Sequence, residues 1–225
     1  MSRWLNICEI TRLQFFVESL RMLITTTHPT DTQSSFTEFL ENYPTDGDYE
    51  WVDGAIIKMR ATRQHDDIAD FIADNLKLYI REHALEWVVK TTALVRTTTL
   101  DGKEQGRKPD VSVIQRQQWE IERRSYAALT APIQLAVEVT STNWDDDYLD
   151  KLEEYQRLGI LEYWIVDYLA LGSRDFLGKP KQPAVLVFQL NAQQCYQYQL
   201  FRGSERIISP TFPLLTLTAE QILKA

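Results

Sequence analysis

Cysteine and histidine are scarce in this chain, and their scarcity removes much of the common metal chemistry. Cys8 and Cys195 are the only two cysteines. They allow one disulfide without requiring it, and two thiolates cannot build a zinc cage. His28, His65 and His83 are the only histidines, too few for a histidine-rich site. A bound metal would therefore be held by oxygen, which selects Mg²⁺, Mn²⁺ or Ca²⁺. Basic residues are also short: 24 Lys and Arg stand against 32 Asp and Glu, a formal net charge of -8. That balance disfavours tight, nonspecific nucleic-acid binding, which depends on neutralising phosphates. It does not exclude a nuclease, because a carboxylate metal site adds negative charge that a bound cation reverses locally. No apolar run approaches the ~18 residues that would span a bilayer. The first 24 residues carry Arg12, Glu18 and Arg21 and lack the apolar block and small-residue cleavage site of a secretory signal. A cytoplasmic chain with no membrane association is expected.

What is present suits one α/β domain. The chain has 225 residues, 44% hydrophobic and 25% charged, enough to fill a core and too apolar for disorder. Residues 1–33 read as an N-terminal extension ending in the polar stretch TTTHPTDTQ, expected to contribute little to the fold, and residues 34–225 as the domain. Ser34 or Ser35 can cap a short helix through Phe36, Phe39 and Leu40, with Glu38 as the capping-box partner of Ser35. Asp53-Gly54 between apolar runs signals a hairpin. Ile68, Phe71, Ile72, Leu76, Tyr79 and Ile80 mark one face of a helix over 64–82. LEWVVKTTALVRT reads as strand, DGKEQGRK as a polar turn, and PDVSVIQ as a short strand starting just after Pro109. Residues 115–130 are polar and read as a helical excursion. IQLAVEVTS has the near-continuous apolar character of a buried central strand. DDDYLDKLEEYQRLG reads as a helix with aspartates at its positive end and Gly159 as its stop. LEYWIVDY is another buried strand, AVLVFQL and CYQYQLF form a hairpin, and TAEQILKA closes the chain as a helix. The predicted class is α/β (α+β), a mixed β-sheet core flanked by helices with additional β-hairpins.

Two carboxylates stand out. Asp110 sits at the start of one strand and Glu138 at the end of another. Phosphodiester hydrolysis needs a divalent cation to neutralise phosphate oxygens and to acidify the attacking water. Carboxylates on neighbouring strands can hold that ion and leave positions open. The pattern alone is not specific, because an acidic residue capping a turn or marking a strand end is common. Glu138 raises its weight. It lies inside LAVEV, where every neighbour is apolar, and a buried carboxylate needs a cation, a donor or a raised pKa. Asp147, Lys151 and Tyr155 follow at i, i+4 and i+8 on one helix face. Two uses of that face remain open: an exposed Asp–Lys ion pair, or an amine delivered to the carboxylates.

YEWVDGAIIKM, RKPDVSVI, LAVEVTSTNWDDDYLDKLEEYQRLGILEYWIVD and the closing hairpin resemble the Uma-two family of restriction-endonuclease-like proteins, within the PD-(D/E)xK nuclease superfamily. The resemblance covers roughly residues 36 to 222. It implies a restriction-endonuclease-like fold with Mg²⁺ or Mn²⁺ held by Asp110 and Glu138, and with Asp110, Glu138, Lys151 and Glu50 as catalytic residues. Lys151, on the helix, takes the job that Thr140, at the usual strand position of the lysine, cannot do. Glu50 in YEWVDG matches an acidic position facing the site, with a polar edge-strand residue as its other use. His65 matches a position near the start of the long helix, where a plain surface residue is the alternative. Thr140, Asp147, Tyr155 and His65 are the accessory candidates. The chain departs from the family after Ser141, where Thr142-Asn143-Trp144 stands in place of a frequent proline; Trp144 could pack over the site or narrow it. The implied function is a metal-dependent nuclease hydrolysing phosphodiester bonds of DNA. The competing readings are a non-catalytic nuclease-fold module that binds protein or nucleic acid, and a metal enzyme acting on a different phosphate ester. By analogy with restriction-like folds that pair, the hairpin VLVFQL…YQYQLF is a candidate homodimer surface.

Overall fold

The computed structural model describes residues 5–6, 35–121 and 128–225. Local signals in the sequence set its first elements. Ser35 and Glu38 exchange hydrogen bonds, closing the capping box that opens helix α1, Phe36–Glu41. Ser34, the other candidate cap, lies outside the described residues. Asp53 and Gly54 both take positive φ, 50° and 82°, and join strands β2 (Tyr49–Val52) and β3 (Ala55–Lys58) in a two-residue hairpin. Thr62 caps helix α2 (Arg63–Glu82), which buries Ile68, Ile72, Leu76 and Ile80 along one stripe.

Two expectations fail in the next segment. LEWVVKTTALVRT is not one strand. It breaks into β4 (Trp87–Lys90) and β5 (Val95–Thr98), which belong to different sheets. DGKEQGRK is not a turn throughout, since Glu104–Arg107 is strand β6, paired along β5. Its polarity misleads because Gln105 and Arg107 are buried on polar partners. Gln105 bonds Asp53 through both its amide oxygen and nitrogen, and Arg107 binds glutamates. Strand β7 (Val111–Gln115) follows Asp110 directly. Of the helical excursion expected over 115–130, Arg116–Glu120 is helix α3, and residues 122–127 lie outside the described residues.

Strand β8 (Leu135–Val139) is buried at every position and lies inside its sheet, between β7 and β9 (Glu162–Asp167). Between β8 and β9 runs a widened turn, Asp146–Asp150, and then helix α4, Lys151–Leu158, which ends at Gly159. The β8–β9 pair is parallel, so a crossover of this kind is required. A short helix α5 (Arg174–Leu177), the hairpin β10 (Ala184–Leu190) and β11 (Tyr196–Phe201), and helix α6 (Ala219–Leu223) complete the chain. Strand β1, Leu5–Asn6, pairs with β11; the rest of the expected extension, with Cys8, lies outside the described residues. Cys195 is buried and is not a free thiol.

The larger sheet runs β1-β11-β10-β9-β8-β7-β4 and the smaller β3-β2-β6-β5. One face of the larger sheet packs Val111, Val113, Val137, Val139 and Val166 against α2 and α6. Its other face packs Ile114, Ala136 and Ile165 against Tyr148, Leu152 and Tyr155 of the crossover, with Val95 of the smaller sheet. Phe36 and Phe39 of α1 cover Trp51 of β2. The apolar side chains of the β10–β11 hairpin lie in this chain's own core. Leu190 and Leu200 of the hairpin are only partly buried. Among the described residues no helix is long and apolar enough to cross a membrane.

Candidate active site

Alternation along β8 decides where Glu138 points. Val137 and Val139 face α2, so Glu138 faces α4. It is 1% exposed. Lys151 Nζ donates to its Oε2 at 2.9 Å and the Tyr155 hydroxyl to its Oε1 at 2.7 Å. The same ammonium lies 3.2 Å from Asp147 Oδ1 and 3.5 Å from Glu50 Oε1. Of the two uses left open for the 147/151/155 face, the exposed ion pair is not found: the i,i+4 pair exists, but it is buried, and the ammonium is turned onto the carboxylates. Glu50 reaches the cluster from β2 in the smaller sheet, where its Oε1 also accepts the Lys108 amide at 2.9 Å.

Asp110 closes the cluster from the β7 side. Its Oδ2 accepts the Val139 amide at 2.7 Å and lies 3.2 Å from His65 Nε2 at the start of α2. Its side chain is 16% exposed, against 2% for Glu138, so the cluster opens to solvent beside Asp110. Thr140 is fully buried, and its hydroxyl has no hydrogen-bond partner among the described residues. Trp144 packs edge-on against Tyr148, with ring centroids 5.9 Å apart.

Burial raises the Glu138 carboxyl well above the ordinary carboxylate range; Lys151 opposes this, while Asp110, Asp147 and Glu50 reinforce it. Burial likewise lifts Asp147 to about 7 against the pull of Lys151. Burial pulls Lys151 down, but Glu138, Glu50 and Asp147 outweigh it and hold the ammonium above its ordinary value. Burial also lowers His65, but its hydrogen bond to Asp110 and the neighbouring Asp66 push it up to about 9. Burial is thus the main cause at Glu138 and Asp147, while the raised Lys151 and His65 reflect the carboxylates around them.

Residues 36–220 match the Uma2 family, described as a putative restriction endonuclease. The chain belongs to this family. A solved structure, a putative nuclease belonging to DUF820 from Anabaena variabilis ATCC 29413, shares the fold with a TM-score of 0.61 at 16% identity, over 85% of this chain and 98% of that one. A comparison with curated proteins found no match.

The Uma2 cluster contains residues that sequence reasoning missed. Arg107, 2% exposed, grips Glu154 through Nε and Nη2 at 2.8 and 2.7 Å, and its Nη1 reaches Glu50 at 3.4 Å. Thr97 donates to the same Glu154 at 2.6 Å. Glu154 stands three residues after Lys151 and seven after Asp147, so it shares the face they mark. That spacing was the available signal. Arg107 had none, because its strand looked like a turn.

Do these residues fit a divalent cation? Among the described residues no three His, Cys, Asp or Glu side chains converge as a ready-made cage. Mg²⁺ does not need one, because it takes one or two carboxylates and keeps several waters. Five carboxylates (Glu50, Asp110, Glu138, Asp147, Glu154) are linked or adjacent to Arg107 and Lys151, with His65 as the third cation. Were all five ionised and His65 charged, two negative charges would stay unbalanced, a deficit that protons on Glu138 and Asp147 or one divalent cation would make up. The donor set is all oxygen and opens at Asp110. The residues fit.

Proposed function

We propose that this protein is a divalent-cation-dependent nuclease that hydrolyses phosphodiester bonds of DNA. The reading is carried by the buried Glu138–Lys151 pair beside the partly open Asp110, at the ends of adjacent strands. Asp110 and Glu138 would hold Mg²⁺ or Mn²⁺. When bound, such an ion neutralises phosphate oxygens and lowers the pKa of water.

Lys151 acts as a charged donor in this reading and not as a base, because its acidic neighbours keep it protonated. Its ammonium can orient water or stabilise charge on the phosphorus oxygens. Glu50 and Asp147 hold that ammonium in place, and Tyr155 fixes the Glu138 carboxylate. His65 orients Asp110. Arg107 and Glu154 tie the smaller sheet to α4, so that Glu50 stays with the other carboxylates.

The test is a cleavage assay on supercoiled, linear and single-stranded DNA with Mg²⁺ and with Mn²⁺, beside Asp110→Ala and Lys151→Ala. Cleavage that needs the ion and both side chains supports the reading. Absence of cleavage, with Mn²⁺ binding that ignores Asp110, favours a non-catalytic module on the same fold.

A further inference from the structure

The helix that carries Lys151 begins irregularly. The Lys151 amide donates to the Asp146 carbonyl, five residues back, and Asp146–Asp150 forms a single π-turn. Such a turn packs an extra residue into a helix and is frequent at functional sites. The bond removes the donor that an α-helix would give to the Asp147 carbonyl. That carbonyl accepts the Tyr163 hydroxyl at 2.9 Å. At the next residue, the Tyr148 hydroxyl donates to Asp167 Oδ2 at 3.0 Å. Asp167 is itself fixed by the Leu171 and Gly172 amides, at 2.9 and 2.8 Å. Tyr163 and Asp167 stand four residues apart on β9, so one face of that strand supplies both anchors.

We propose that Tyr163, Tyr148 and Asp167 are positioning residues, which hold the Asp146–Asp150 turn wide so that Asp147 and Lys151 meet Glu138 together. Closing the turn to an α-helix would return the Asp147 carbonyl to the Lys151 amide and take it from the Tyr163 hydroxyl. Asp147 would stay on the Lys151 face, as residues four apart do in an α-helix, but the start of the helix would turn relative to β9 and carry the pair off Glu138. The catalytic consequence rests on the nuclease reading; the placement of Lys151 does not.

Tyr163→Phe removes one hydroxyl and leaves the ring packed on Tyr155 and Phe188. Tyr196→Phe is the matched control: its hydroxyl donates to the Ile160 carbonyl at 2.8 Å in the same core, outside the π-turn. The first readout is NMR of protein labelled with ¹⁵N at lysine, in which a buried, ion-paired Lys151 ammonium gives a signal protected from exchange with water. That signal should be present in the wild type and in Tyr196→Phe and lost in Tyr163→Phe. The second is plasmid cleavage, where Tyr163→Phe should lower kcat on the order of tenfold to a hundredfold at unchanged KM, with Tyr196→Phe at the wild-type rate. If Tyr163→Phe does not fold, Tyr148→Phe takes its place with the same expectations. The proposal is overturned if the Lys151 signal survives in Tyr163→Phe, is lost equally in Tyr196→Phe, or is missing from the wild type. A wild type that shows the signal but cleaves no DNA sinks the nuclease reading alone, and the NMR comparison still decides the positioning role.

Discussion

Replacing Lys151 with methionine keeps most of the buried stem and removes the charge, which makes it the sharpest probe of the cluster. Its ammonium lies 2.9 Å from Glu138, 3.2 Å from Asp147 and 3.5 Å from Glu50. All three carboxylates are buried, so the substitution strands them without their shared counter-ion. Removing one partner of a buried ion pair costs about 3–5 kcal/mol. For a domain of this size that corresponds to a fall in Tm of roughly 6–20 °C. The loss should depend on pH. At about pH 8 the stranded groups must either ionise in the core or bind protons at a cost. At about pH 5.5 Asp147, lifted to about 7, carries its proton, and Glu138 is held above its ordinary range in the same direction. The penalty then shrinks toward that of lost hydrogen bonds, about 1–2 kcal/mol. The assay is thermal unfolding of wild type and Lys151→Met with a chelator at the two pH values. A loss equal at both, or one under about 1 kcal/mol at the higher pH as an exposed pair would give, refutes the account of a buried, charge-starved cluster.

Without divalent cations the wild type should itself lose stability as pH rises. Asp147 binds its proton more tightly folded, so its contribution is complete below its ordinary 3.8 and lost through about 7; that of His65 is complete below 6.5 and lost through about 9. Adding Mg²⁺ should restore Tm most at the alkaline end, and a Tm that climbs between these pH values in chelator would contradict the direction of both shifts. Asp110→Asn keeps an acceptor for the Val139 amide but not the charge. Calorimetric titration should show Mn²⁺ affinity reduced by more than about tenfold, with stability within about 1 kcal/mol of wild type; unchanged affinity would remove Asp110 from the ligand set. Gly172→Ala would place a Cβ 2.7 Å from the Tyr148 ring, beside its hydrogen bond to Asp167. Denaturant unfolding should show a cost of about 1–3 kcal/mol from this overpacking, and a neutral result would mean that the contact is looser than described.

The parts of this fold written in local patterns were legible. The Ser35–Glu38 capping box, the Asp53-Gly54 hairpin, the α2 stripe and the buried run LAVEV each depend on residues within a few positions of one another. Glu138 was legible as a buried carboxylate with partners for a physical reason: a charge amid apolar neighbours needs compensation. The failures lie where burial is polar. Arg107 and Gln105 are as buried as core valines, yet hydropathy reads their strand as a turn because their partners, Glu154 and Asp53, are 47 and 52 residues away. The split of LEWVVKTTALVRT between two sheets left no mark on its β-branched composition. The π-turn was invisible because a single extra residue hardly disturbs the 147/151/155 spacing.

The cluster draws Glu50 from one sheet, Asp110 and Glu138 from the other, and Lys151 from the crossover helix. On the ribosome these groups emerge in that order, and the ammonium comes last. A nascent chain that has made all three carboxylates still lacks the residue that lets them share a buried space, and their mutual repulsion keeps the cleft from closing early. A cut in the 59–62 connection likewise puts Glu50 on a different piece from Arg107, Lys108 and Lys151. On the nuclease reading, a piece that lacks Glu50 or Lys151 lacks part of the site. A split version, broken at that connection and brought together by fused partner domains, would be silent until the halves meet.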